Sequence, residues 1–275
     1  MIKLEHIDFS YGKQPVFRDF SLEIREGESV LITGINGIGK TTLLRLMAGV
    51  LFPRKGQVIY SGKLGGDPRS KIGFISDKMN LYESMTLKQA VGYHSSVYGF
   101  SDFDSDLVTE ARLDTGKKIR ELSRGQKLVF HLSLLLAARP EILLIDEVIH
   151  SMDVYLRDLF LNRLLGMIEE NRITLVLVNL NFHDIEKIPQ RILLLRNNRI
   201  VLDEPLDTLK TRVKKIFSRR EIPNLPVLFH RKHEDGHEYF IYPYPEDMKL
   251  EPETEVTDLN LHDIIKAFIG GQYAE

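Results

Sequence analysis

Gly34-Ile35-Asn36-Gly37-Ile38-Gly39-Lys40-Thr41 decides the reading of this chain. The stretch satisfies the spacing G-x-x-x-x-G-K-[ST]. It lies between an apolar run, Ser29 to Thr33, and a helical pattern from about Lys40 to Ala48 that Gly49 is placed to end. A strand, a glycine loop and a helix in that order form the context that gives the spacing its meaning. Glycines let the main chain wrap with its N–H groups pointing inward, and those donors, with the helix N-terminus, favour phosphate oxygens. In this pattern Lys40 reaches the β- and γ-phosphates and the Thr41 hydroxyl ligates Mg²⁺. Taken alone, the motif implies a bound nucleoside triphosphate and says nothing of its use. A chance glycine turn is the plainer alternative.

The next informative stretch is Ile142-Leu143-Leu144-Ile145-Asp146-Glu147. Four consecutive apolar residues suit a strand covered on both faces of a parallel sheet. An aspartate at the carboxyl end of such a strand faces the crevice where α/β sheets bind ligands. Asp146 is therefore a candidate Mg²⁺ ligand and Glu147 a candidate general base for an attacking water. The structural alternative for Glu147 is an ordinary acidic residue at a helix start.

Around these stretches the pattern is α/β. Ile2 and Leu4, then after a slip Ile7 and Phe9, alternate with polar residues, as do Phe20, Leu22 and Ile24. Residues 79–121 carry helical spacing and read as a helical insert. Helices are expected over 127–138 and 154–171, with a strand from Ile173 to Val178 between later elements. The expected fold is a P-loop NTPase core with a mainly parallel sheet, N-terminal antiparallel strands and the insert, over residues 1–212. Residues 213–275 differ in composition, with 8 Lys/Arg against 12 Asp/Glu and five prolines. Val227 to Phe229 and Glu238 to Tyr242 flank Asp235-Gly236, a hairpin signal, and Leu261 to Phe268 reads as a helix. This part is expected to be a small α+β appendage.

The whole chain has 275 residues, 43% hydrophobic and 28% charged, with Lys+Arg 37 against Asp+Glu 39. That composition excludes a mainly disordered chain and supplies no field for nucleic acid or an anionic membrane. There is no cysteine, hence no disulfide and no thiolate metal site. No apolar run approaches the roughly 20 residues of a spanning helix, so work at a membrane requires another chain to supply the span. His230, His233 and His237 lie close in sequence, but a third ligand type is missing and a metal is not expected there.

Between the two phosphate-site stretches lies Leu122-Ser123-Arg124-Gly125-Gln126. Here the sequence resembles the ATP-binding-cassette (ABC) ATPases, whose signature is L-S-G-G-Q. Arg124 is the one departure, and the resemblance covers residues 1–212. It implies a head-to-tail dimer with ATP between the P-loop of one subunit (Gly34, Asn36, Gly37, Ile38, Gly39, Lys40, Thr41 and Thr42) and the Ser123, Gly125 and Gln126 region of the other. It also implies that Tyr11 stacks on adenine, where the alternative is a ring packed inward, and that Asp153 contacts the partner subunit. Ser123 has a second reading as a helix N-cap. Asp77 falls where the family usually has glutamine. Some export-type members are acidic there, and a carboxylate at 77 is a candidate ligand for Mg²⁺ or the attacking water, or else a surface residue.

Two positions depart further. A gapless register places Leu180 where the family has a γ-phosphate-contacting histidine, and His183 is read as a solvated helix residue. Val148-Ile149-His150 replaces the usual Pro-Thr-Ser. Losing one preorganised contact costs about 10²–10³ in rate, so slow hydrolysis by the chain alone is expected. The resulting expectation is the ATPase subunit of an export-type bacterial ABC transporter. It would be cytoplasmic, at the inner face of the cell membrane, working with a membrane-spanning subunit and a second ABC ATPase subunit. A soluble, non-transport cassette acting as an assembly scaffold or ATP switch is the alternative.

Overall fold

In a computed structural model, residues 1–61, 67–79, 81–101, 103, 105–170, 173–179, 182, 184–223, 225–245 and 254–270 are described. The chain divides into two compact units, one of Met1–Leu180 with Leu193–Leu202, the other of Asn181–Ile192 with Asp203–Glu275. The composition change after residue 212 thus falls inside the second unit.

The first unit opens with two long strands, β1 (Ile2–Tyr11) and β2 (Gln14–Ile24), paired antiparallel. With β4 (Lys55–Tyr60) they form a three-stranded sheet in the order β2-β1-β4. The slip read between Leu4 and Ile7 is a bulge, with His6 in the left-handed region at φ 51°. It turns Ile7 and Phe9 onto the buried face already occupied by Ile2 and Leu4.

The second sheet has six strands in the order β5-β6-β7-β3-β8-β9. They are β3 (Ser29–Gly34), β5 (Ile72–Ser76), β6 (Ile142–Asp146), β7 (Thr174–Val178), β8 (Arg191–Arg196) and β9 (Arg199–Pro205). β5, β6, β7 and β3 run parallel, and every residue of β3, β6 and β7 is buried. That burial explains their unbroken apolar sequences. Val30, Ile32, Leu144, Val176, Val178, Leu193 and Leu195 join Leu43, Leu44, Leu46 and Met47 of helix α1 (Lys40–Met47) in one core. Each such side chain contributes about 1.5–3 kcal/mol by leaving water.

The helical insert holds α2 (Leu87–Tyr98) and the short α3 (Asp106–Glu110). Helix α4 (Arg124–Ala137) starts one turn earlier than its apolar spacing suggests. Ser123 and Gln126 form a capping box, each side chain bonding the other's main-chain N–H. Helix α5 (Val154–Glu169) is capped by Asp153, whose Oδ1 accepts from the Leu156 N–H at 3.0 Å.

After β7 the expected helix is not formed among the described residues, which make turns at 184–187. Its apolar positions Phe182, Ile185 and Ile188 are nonetheless buried. Leu180 and His183 lie outside the described residues. In the second unit, α6 (Leu206–Arg212) precedes an antiparallel sheet in the order β11-β12-β10-β13. Its strands are β10 (Lys214–Ser218), β11 (Val227–Lys232), β12 (His237–Ile241) and β13 (Glu255–Asp258), and α7 (Leu261–Ile269) follows. The hairpin expected at Asp235-Gly236 joins β11 to β12. Ile216, Tyr239 and Ile241 make a small core of their own.

Candidate active site

The 34–41 loop leaves the carboxyl end of β3 and enters α1 through left-handed glycines, with φ of 143° at Gly34, 77° at Gly37 and 109° at Gly39. A side chain at 34 would place its Cβ 2.4 Å from the Leu195 carbonyl oxygen, so only glycine fits there. Gly39 lies against Val16 and Phe17, and Asn198 Nδ2 donates to the Ile38 carbonyl at 3.2 Å. Sequence reading missed these supports, because nothing local marks a residue that braces a loop 20 to 160 positions away.

Helix α2, α4, α5 and α7 each start with a side-chain cap, whereas α1 starts at Gly39 with none and has no acidic residue in its first turn. Its first N–H groups are therefore open to an anion. Lys40 is buried and folds back onto its own loop, with Nζ donating to the carbonyls of Gly34 at 2.9 Å and Ile35 at 3.2 Å. The same ammonium lies 3.4 Å from a Glu147 carboxylate oxygen. Thr41 Oγ1 donates to Asp146 Oδ1 at 3.1 Å. The fold therefore brings Lys40, Thr41, Asp146 and Glu147 into one cluster at the carboxyl ends of β3 and β6. Glu147 sits in the left-handed region at φ 51°, a strained conformation for a non-glycine residue, and its N–H donates to Val178 at 2.9 Å.

Burial shifts two groups of the cluster. Burial lowers the Lys40 pKa below the usual lysine range, although Glu147 pulls it back up. Burial raises that of Asp146, against the hydrogen bond from Thr41. In each case burial disfavours the charged form. An anion beside Lys40 and a cation beside Asp146 would relieve them together. The oxygen donors of Thr41 and Asp146 suit a hard divalent ion such as Mg²⁺.

Tyr11, at the end of β1, is 47% exposed, and its hydroxyl lies 3.4 Å from Thr42 Oγ1. The ring packs edge-on against Phe9, with centroids 5.0 Å apart, and keeps its other side open. Asn36 and Gly37 are exposed at the loop tip. Ser123 and Asp153 each cap a helix start, α4 and α5, and Gly125 lies beside the second of these. A Cβ at Gly125 would lie 3.1 Å from Leu156 and 3.6 Å from Met152, so the start of α4 packs against the segment that Asp153 caps. Asp77 follows β5, whose last residue, Ser76, is level with Asp146. Its carboxylate is ion-paired with Arg124, a partner that the sequence alone did not suggest. In the second unit, His230 Nε2 and His237 Nδ1 lie 3.1 Å apart, and His233 is near Glu238. No group of three metal-ligating side chains is found among the described residues. No helix among them is long and apolar enough to cross a membrane.

A glycine loop with an uncapped helix start, beside an Asp-Glu pair at the carboxyl end of a parallel sheet, defines a P-loop nucleotide-binding site. The ABC transporter family model matches residues 17–150. The chain is 31% identical over 221 residues to the ABC transporter ATP-binding protein YtrB of Bacillus subtilis, covering 78% of this chain and 76% of that protein. It is 32% identical over 213 residues to the thiamine import ATP-binding protein ThiQ of Chelativorans sp., covering 74% and 86%. Several longer curated relatives are matched over only 52%, 63% and 64% of their length. A dimeric structure of a bacterial ABC transporter cassette superposes with a TM-score of 0.63 at 25% identity, over 75% of this chain and 99% of that one. The chain belongs to the ABC transporter family of ATP-binding proteins and is an ATPase of that family.

Proposed function

We propose that the chain binds Mg-ATP at the 34–42 loop and hydrolyses it to drive a membrane-spanning partner at the cytoplasmic face of a cell membrane. The convergence of Lys40, Thr41, Asp146 and Glu147 carries this reading. Lys40 and the open amides of α1 hold the phosphates, and Tyr11 stacks on the base. Thr41 and Asp146 would hold Mg²⁺, which supplies charge neutralisation at the phosphates. Glu147 takes the proton of the attacking water. Phosphoryl transfer needs chiefly positioning and charge compensation, which these groups offer.

The match to a dimeric cassette structure supports a dimer in which Ser123, Gly125, Gln126 and Asp153 of one chain meet the nucleotide face of another. The second subunit is either a copy of this chain or a sister cassette. The acidic residue at 77 favours export, whereas the relatives for sulfate/thiosulfate, spermidine/putrescine, methionine, thiamine and taurine are all named for import. Leu180, at the position of the family's histidine, favours slow turnover by the chain alone.

The test measures nucleotide binding and ATPase activity of the purified chain. Lys40→Ala is expected to lose binding. Glu147→Gln is expected to keep it and lose about 10²–10⁴ in turnover. Binding unchanged by Lys40→Ala refutes the nucleotide site. Co-purification with a membrane protein, with faster hydrolysis in the complex, tests the transport role. A soluble partner instead supports the scaffold alternative.

A further inference from the structure

Asp77 and Arg124 are charged residues at two positions where the family usually has neutral ones, and the fold joins them. Asp77 stands one residue beyond β5, at the edge where Ser76 is level with Asp146. Arg124 is the first residue of α4. A cation in the first turn of a helix is disfavoured by the helix dipole, so α4 gains nothing from this arginine as a helix residue. The pair is open to solvent, with the arginine side chain 48% and the aspartate side chain 58% exposed. Exposed ion pairs are weakly held. A triphosphate offers more charge than one carboxylate, and several oxygens that match the guanidinium fork.

We propose that Asp77 is a latch for Arg124. In the single chain the carboxylate holds the guanidinium beside the capped end of α4. When two chains close on ATP, Arg124 transfers to the triphosphate bound by the opposite chain. This rests on the dimer proposed above and assigns to it a phosphate-binding cation that the signature pattern does not contain. Asp77 is then a positioning residue that competes with the nucleotide for Arg124. The neighbouring pair on α4, Lys127 with Glu83 at 2.7 Å, serves as an internal control, since it ties the same helix to the same connection.

The test follows dimer formation by sedimentation as Mg²⁺ and the non-hydrolysable analogue AMP-PNP are titrated into the full chain, with thermal melts to verify folding. Arg124→Ala is expected to raise the nucleotide concentration needed for half-dimerisation at least tenfold. Asp77→Asn is expected to lower it severalfold, because the competitor is gone. The double variant is expected to match Arg124→Ala, and Lys127→Ala to stay within twofold of the parent chain. The latch is overturned if Asp77→Asn has the same effect with or without Arg124, if Arg124→Ala dimerises normally, or if the parent chain binds nucleotide and never dimerises. Lys40→Ala separates this from failure of the site itself. If it still binds a fluorescent ATP analogue, the site is wrong. If it loses binding while Arg124→Ala dimerises normally, only the latch is wrong.

Discussion

Replacing Asp146 by asparagine is expected to stabilise the nucleotide-free chain while removing its response to Mg-ATP. Asp146 is 7% exposed, its carboxyl pKa is raised by burial, and Glu147 adds a like charge beside it. Asparagine keeps an Oδ1 acceptor for the Thr41 hydroxyl at 3.1 Å and discards the charge. The melting temperature of the empty chain should therefore rise. The ligand side follows from mass action. At a nucleotide concentration of about 100 times Kd, binding adds roughly 2.7 kcal/mol to the stability of the parent chain. One kcal/mol moves the midpoint by about 2–4 °C in a chain of this size class, so Mg-ATP should raise it by about 5–10 °C. In Asp146→Asn this increment should fall to about 1–2 °C. The assay is thermal unfolding of both proteins, with and without Mg-ATP, at one pH and salt concentration. A lower midpoint for the empty variant, or an undiminished increment with Mg-ATP, refutes the argument that burial of the Asp146 charge costs stability and that this charge serves Mg-ATP binding.

Two further outcomes test the surrounding fold. Burial pushes the His131 pKa down to about 4, with His94 adding to the effect, and its Nδ1 is buried without a hydrogen-bond partner among the described residues. An unfolded histidine titrates near 6.5. Between those values the unfolded chain binds the proton that the folded chain refuses, so stability is full above about pH 6.5 and falls as the pH drops toward 4. A shift from about 6.5 to about 4 corresponds to a loss of at most about 3 kcal/mol. Denaturant midpoints measured from pH 7 to 4.5 should show it, and His131→Leu should flatten that slope. Removing the capping box of α4 with Ser123→Ala should cost about 1 kcal/mol, read as a midpoint lowered by about 2–4 °C; no change would mean that α4 does not depend on Ser123 for its start.

Much of the candidate site was legible because its parts are contiguous. The P-loop glycines, Lys40 and Thr41 occupy eight consecutive residues, and Asp146-Glu147 directly follow a short apolar run that suits a covered strand. Backbone requirements of this kind leave a local trace. The bulge at His6 was legible for the same reason, since alternation has to slip to keep one face apolar. The start of α4 was read one turn late, because apolar spacing begins only at Leu128 while the helix begins at its cap. The stretch after β7, where His183 was read as a helix residue, makes turns among the described residues and still buries Phe182, Ile185 and Ile188.

By itself the sequence determined which segments are strands and helices around the nucleotide loop, and which residue types meet a phosphate there, because main-chain geometry and side-chain chemistry act over a few residues. Only the tertiary structure decided the strand order β5-β6-β7-β3-β8-β9, the contact of Lys40 with Glu147 and the pairing of Asp77 with Arg124. Those depend on which faces bury against which and on charges brought together across long stretches of chain. Neither composition nor periodicity encodes such distances.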